Sequence, residues 1–83
     1  MFQVVLKKSA EKSLQKIEKS FRIRILEALV YLEKEPLLGK PLIGKLKGFY
    51  SLRVWPYRIV YTIYKKELRV YVIAIAHRQN VYK

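Results

Sequence analysis

The stretch Lys45–Tyr61, KLKGFYSLRVWPYRIVY, decides how the chain folds. It is dense in β-branched and aromatic residues, the types that suit a pleated, half-buried surface, and Trp55-Pro56 breaks it with a residue that cannot donate to a ladder. Two strands follow, about Leu46–Val54 and Tyr57–Tyr64, with a connection short enough to demand an antiparallel hairpin. A loop centred on Trp55-Pro56 sets Arg53 opposite Arg58 and Tyr50 opposite Tyr61. The stretch also carries Lys45, Lys47, Arg53 and Arg58 and no acid. A core strand has no use for such charges, so they belong to a surface that meets something outside the core.

Toward the C-terminus a third strand, about Leu68–Ala76, follows Lys65-Lys66. A turn on those two lysines pairs Ile63 with Leu68, Tyr61 with Val70, Ile59 with Val72 and Tyr57 with Ala74, all apolar or aromatic. The opposite face pairs Thr62 with Arg69, Val60 with Tyr71 and Arg58 with Ile73, a mixed set that suits solvent. Continued alternation puts His77 on the face of Arg58, with Arg78 pointing the other way unless the chain bends.

Toward the N-terminus, Phe2–Lys7 reads as a short first strand. Ser9 is the expected cap of a helix whose apolar positions are Ala10, Leu14, Ile17 and Phe21. Ser20 caps a second helix, with a stripe of Phe21, Ile25, Leu29 and Leu32 that Ile23, Leu26 and Val30 are expected to widen. Pro36 ends that helix, and Pro36–Gly44 has no period and reads as an ordered loop. The expectation is a single α+β domain over residues 1–83, in the order β-α-α-β-β-β, with a two-helix hairpin packed on one face of a small, mainly antiparallel sheet.

Composition narrows the function. The absence of cysteine excludes a disulfide framework and a thiolate nucleophile, and a single histidine argues against an all-protein zinc site. No metal or cofactor is expected. The apolar run at the N-terminus precedes its lysines, unlike a signal peptide, and no run approaches a membrane span, so a cytoplasmic protein is expected. Eighteen Lys and Arg against six acids give a net charge of +12. From Pro36 onward Glu67 is the only acid, and the second half is therefore where an anion would bind.

The expected outer face gathers Arg53, Arg58, His77, Arg78 and Tyr82, with Lys45 and Lys47 at its entrance. Arginine grips phosphate with a planar fork and keeps its charge, while histidine and tyrosine can move protons. That set suits metal-free cleavage of RNA, in which the substrate's own 2′-hydroxyl attacks the adjacent phosphate; DNA lacks that nucleophile. Tyr50, Tyr71 and Trp55 are available to stack unpaired bases.

Leu-Lys-Gly followed by an aromatic, then Arg-Val, Tyr-Arg-Ile-Val-Tyr and a closing His-Arg-x-x-Val-Tyr make a pattern that is specific as a whole. With it the chain resembles, over essentially its full length, the RelE/ParE toxin superfamily in its RelE-like branch. The resemblance implies an mRNA endonuclease that cuts in the ribosomal A site without metal and leaves a cyclic phosphate. It also implies a heteromeric complex with a cognate antitoxin, whose acidic or amphipathic segment covers the basic surface. By position, Arg58 and Arg78 resemble the phosphate-stabilising arginines, Tyr82 a tyrosine that stacks on or protonates the substrate, and Arg53 a basic strand position that is lysine in some members. Where some RelE enzymes carry a further lysine, this chain has Ser51, and His77 is the candidate general base. The other readings are a ParE-like gyrase inhibitor that needs no catalytic residues, and an inactive nucleic-acid-binding relative. The His-Arg-x-x-Val-Tyr ending favours the ribonuclease.

Overall fold

A computed structural model describes residues 1–78. Strand β1 (Gln3–Leu6) leads into helices α1 (Lys8–Lys16) and α2 (Lys19–Lys34); β2 (Lys40–Pro41), β3 (Phe49–Val54), β4 (Tyr57–Tyr64) and β5 (Arg69–His77) complete one sheet. The strand order is β1-β5-β4-β3-β2, with β1 parallel to β5 and the other pairs antiparallel. This is the expected α+β architecture with one addition. The two-residue edge strand β2 lies inside the Pro36–Gly44 segment that reads as a loop, because two residues leave no periodicity to detect.

The core lies between the helices and one sheet face. Ala10 and Leu14 of α1 and Ile25, Leu29 and Leu32 of α2 meet Ile59, Tyr61, Val70, Val72 and Ile75, all buried. Ile23, Leu26 and Val30 do not widen the buried stripe: they are 48%, 44% and 58% exposed. At about 100° per residue they centre about 130° around α2 from Ile25, Leu29 and Leu32, beyond the reach of a sheet on one side.

The first hairpin has the expected register, Arg53 opposite Arg58 and Tyr50 opposite Tyr61, because only Trp55 and Pro56 separate its strands. The second differs in two ways. Lys65–Glu67 form a 3-10 turn closed by Leu68 in the left-handed region (φ 54°), so the loop takes four residues and Ile63 pairs with Val70, Tyr61 with Val72. A register shift then falls between Val60 and Tyr61, since Tyr61 pairs with Val72 but Val60 with Ala74, leaving Ile73 as an extra residue in β5.

That bulge has two consequences. It reverses the expected facing of everything beyond it: His77 comes opposite Tyr57 and Ala76 opposite Arg58. It also turns the Ile73 carbonyl toward α1, where Ser9 Oγ donates to it at 3.0 Å. Ser9 is therefore a tie between helix and sheet and not the helix cap, which is Lys7 without a side-chain bond. Ser9→Ala is expected to lower stability by about 1 kcal/mol, the usual net worth of one such bond, read as a shift in the urea midpoint at unchanged slope.

Candidate anion-binding groove

The solvated sheet face begins with the arginine pair. Directly opposed residues in an antiparallel ladder sit about 4.5–5.5 Å apart at Cα, so the Arg53 and Arg58 side chains leave the same face as neighbours. Like charges in that position repel, and a bound anion converts the repulsion into attraction. Arg58 is half-buried and directs Nη1 to Ser51 Oγ at 3.5 Å, while Arg53 is exposed. Ser51 is itself buried, and on β2 Lys40 stands directly opposite it.

Lys40, Ser51, Arg53 and Arg58 line one groove of about 350 Å³ together with Pro41, Leu42 and Ile43, and no acidic residue lines it. Its position depends on a buried lock beneath β2. The Tyr61 hydroxyl donates to the Pro36 carbonyl at 2.7 Å and accepts from the Gly39 N–H at 2.8 Å, fixing the residue before Lys40. Lys40 is the member that the sequence reading missed, since nothing in PLLGKPLIG signals a strand that would aim it there.

Arg78 reaches this end of the sheet by the bulge. Its N–H donates to the Pro56 carbonyl at 2.8 Å, two positions beyond Ala76, the residue opposite Arg58, and its guanidinium lies 4.8 Å over the Trp55 ring. The bulge therefore gives Arg78 the side of the sheet that unbroken alternation assigns to His77.

His77 is correspondingly displaced from the face of Arg58. It lies opposite Tyr57, meets that ring edge-on at 5.5 Å, and Tyr57 packs edge-on against Phe21 of α2 at 5.8 Å. The face shared with Arg58, which was the ground for naming His77 the general base, is absent. Tyr50, expected to stack an unpaired base, is on the helix-covered face instead: it is partly buried, stacks on buried Tyr61 with centroids 5.4 Å apart and packs against the core. Tyr71 does lie on the solvated face, opposite Thr62, away from the arginines along the strands. Lys45 and Lys47 are exposed around a 3-10 turn, Gly44–Leu46, that leads into β3. Tyr82 lies outside the described residues.

Among the described residues no helix is long and apolar enough to cross a membrane, and no three His, Cys, Asp or Glu side chains converge on a point. The groove gathers the cationic N–H donors of Lys40, Arg53 and Arg58 along one recess, a donor set with the chemistry to accept an anion such as a phosphate.

Residues 4–82 match the family described as ParE toxin of type II toxin-antitoxin system, parDE. The sequence is 38% identical over 66 residues to Toxin RelG of Mycobacterium tuberculosis, covering 72% of this chain and 76% of that protein. It is 32% identical over 84 residues to Toxin RelE of the same organism, covering 99% and 87%. The fold superposes on the crystal structure of the toxin-antitoxin complex RelBE2 of Mycobacterium tuberculosis with a TM-score of 0.87 at 30% identity, over 93% of this chain and 98% of that one.

Proposed function

The chain belongs to the RelE/ParE family of toxins from type II toxin–antitoxin systems, and from that premise we propose that it is an endoribonuclease acting on mRNA in the ribosomal A site. The observation that carries the proposal is the opposed pair Arg53 and Arg58 in an acid-free groove beside Lys40 and Ser51. Two guanidinium groups there hold the non-bridging oxygens of one phosphodiester and stabilise the charge that gathers on them as phosphorus becomes five-coordinate. The 2′-hydroxyl of the preceding nucleotide attacks phosphorus and gives its proton to solvent water, the bond to the 5′-oxygen breaks, and that oxygen takes a proton in turn. The products are a 2′,3′-cyclic phosphate and a 5′-hydroxyl. Lys40 and Tyr82 are the candidate proton carriers at the leaving oxygen, since an ammonium or a phenol can give up a proton where a guanidinium does not. Arg78, whose guanidinium lies over the Trp55 ring at the hairpin end, is the candidate for the neighbouring phosphate.

Inducing the protein in cells and mapping mRNA 5′ ends tests this reading. Cuts in phase with codons support it. Intact mRNA with DNA breaks or filamentation supports the second reading, gyrase inhibition, which the match to a family described by its ParE toxin favours.

The same proposal includes a cytoplasmic antitoxin partner. Ile23, Leu26, Val30 and Tyr31 on α2, with Leu37 and Leu38 beyond it, expose large apolar surface on a chain of net charge +12. An amphipathic segment with an apolar stripe and acidic flanks complements both features. Val30→Asp is expected to change folding stability by no more than about 0.5 kcal/mol, since Val30 is exposed, yet to weaken antitoxin binding more than about tenfold, as measured by calorimetry with the purified partner.

A further inference from the structure

The solvated sheet face carries a second recess at the end away from the arginines. Arg58, Val60, Thr62 and Tyr64 alternate onto this face, and six residues of strand span about 20 Å. There Lys7, Phe49, Thr62, Tyr64, Glu67 and Tyr71 line a pocket of about 320 Å³. The Tyr64 and Tyr71 rings meet edge to face with centroids 4.9 Å apart, and Lys7 Nζ sits 4.8 Å over the Tyr71 ring. Tyr64 is 50% exposed, which makes its ring the accessible platform.

Glu67 is the informative residue, because it is the only acid from Pro36 onward and it stands in this pocket. The Tyr71 hydroxyl donates to its Oε1 at 3.3 Å, and Arg69 donates to that same hydroxyl at 3.3 Å. A carboxylate has about four acceptor positions, so one phenol leaves it capacity. By charge alone it opposes binding of a polyanion to this face, and its use must come from donors on the ligand. Unpaired bases are read by stacking on aromatic rings and by hydrogen bonds to their Watson–Crick edges. Guanine alone among the four RNA bases presents two adjacent N–H donors there, N1–H and N2–H, a fork that matches a carboxylate.

We infer that this pocket binds an unpaired guanine, stacked on Tyr64 with its Watson–Crick edge on Glu67 and its flanking phosphate near Lys7. The inference rests on the RNA reading of the arginine groove. The guanine can belong to the strand that the arginines hold, a few nucleotides away, or to ribosomal RNA.

The test uses the purified full chain and labelled single-stranded uridine hexamers containing one guanine, adenine or hypoxanthine, with binding read by fluorescence anisotropy at fixed salt. The guanine oligomer is expected to bind about tenfold more tightly than the adenine one, the factor one well-made base contact supplies, and hypoxanthine, lacking the N2 amine, to lose most of that preference. Glu67→Gln is expected to bring guanine and adenine within about twofold. Tyr64→Ala should cost about tenfold on the guanine oligomer while Tyr64→Phe keeps it. Equal affinity of the native protein for guanine and adenine, or a preference untouched by Glu67→Gln, overturns the inference. Arg58→Ala separates the two sites: it is expected to weaken every oligomer alike and leave the base preference intact. No weakening by Arg58→Ala while the native base preference persists overturns the RNA reading of the groove alone; uniform weakening by Arg58→Ala in a protein with no base preference overturns the guanine pocket alone. A preference that peaks at one guanine position in the hexamer assigns the base to the held strand; one independent of position, and matched by guanosine 5′-monophosphate, assigns it to a separate RNA, and either supports the pocket.

Discussion

Arg58→Ala is expected to lower ribosome-dependent mRNA cleavage by about 10²–10³, the usual cost of removing one preorganised donor from a developing phosphorane or oxyanion. Arg58 is half-buried, directs Nη1 to Ser51 Oγ at 3.5 Å and stands directly opposite Arg53. Arg58→Lys keeps the charge but not the two-donor geometry, so it should restore only part of the rate, remaining about tenfold below the native protein. Stability should move the other way. Removing Arg58 relieves a like-charge contact across the ladder, so the unfolding midpoint is expected to stay level or rise slightly. Loss of cleavage with retained stability is the signature of a group kept for its ligand. A fall in stability comparable to a core mutation would show Arg58 to be structural.

The second large effect belongs to Gly39, where Gly39→Ala is expected to destabilise the fold by about 2–4 kcal/mol, lowering Tm by roughly 10–25 °C for a domain of this size. A Cβ there would stand 2.6 Å from Tyr61 Oη, 2.9 Å from Tyr61 Cε1 and 3.1 Å from the Ser51 carbonyl oxygen. None of these can give way easily, because Tyr61 is fully buried and stacked on Tyr50. Tyr61→Phe removes the hydroxyl and leaves the Gly39 N–H and Pro36 carbonyl without their partner, at about 1–3 kcal/mol. In the double variant the shortest clash is gone, so the two losses should sum to more than the measured total, a coupling read by a thermodynamic cycle. Burial holds the Tyr61 phenol above its ordinary value of 10.0. The folded state therefore keeps this proton longer than the unfolded chain; that contribution is complete below pH 10 and is lost as pH rises through the folded value. The groove feels the same lock, since Gly39 precedes Lys40, and Gly39→Ala should impair RNA binding as well as folding.

Reading the sequence succeeds where a local rule closes the geometry. Two residues between β3 and β4 leave one register, so the opposition of Arg53 to Arg58 is legible from residue numbers. It fails where the geometry depends on something with no residue signature. Leu68 gives no warning of a left-handed conformation, which glycine or asparagine would have signalled, and the four-residue loop that it closes is hidden behind Lys65-Lys66. The bulge at Ile73 is equally silent in an apolar run, and it exchanges the sides assigned to His77 and Arg78. One extra residue therefore takes His77 off the face of Arg58 and puts Ala76 opposite Arg58 in its place. Helix α2 differs again: apolar periodicity reported Ile23, Leu26 and Val30 correctly as apolar but could not say that a helix on a single sheet has only one covered side. Lys40 was invisible because its position is set by tertiary contact, the Tyr61 hydroxyl holding Gly39, and not by any pattern in its own segment.

If this groove cleaves RNA, the nucleophile is the substrate's own 2′-hydroxyl. The most direct measurement places a single 2′-deoxynucleotide at the mapped cleavage site of an mRNA programmed into the A site of purified ribosomes and adds the purified protein. The account predicts an upstream fragment ending in a 2′,3′-cyclic phosphate from the all-ribose message and no cut at that position in the deoxy-substituted one. Cleavage that persists at the deoxynucleotide, or no cleavage of either message, would contradict it.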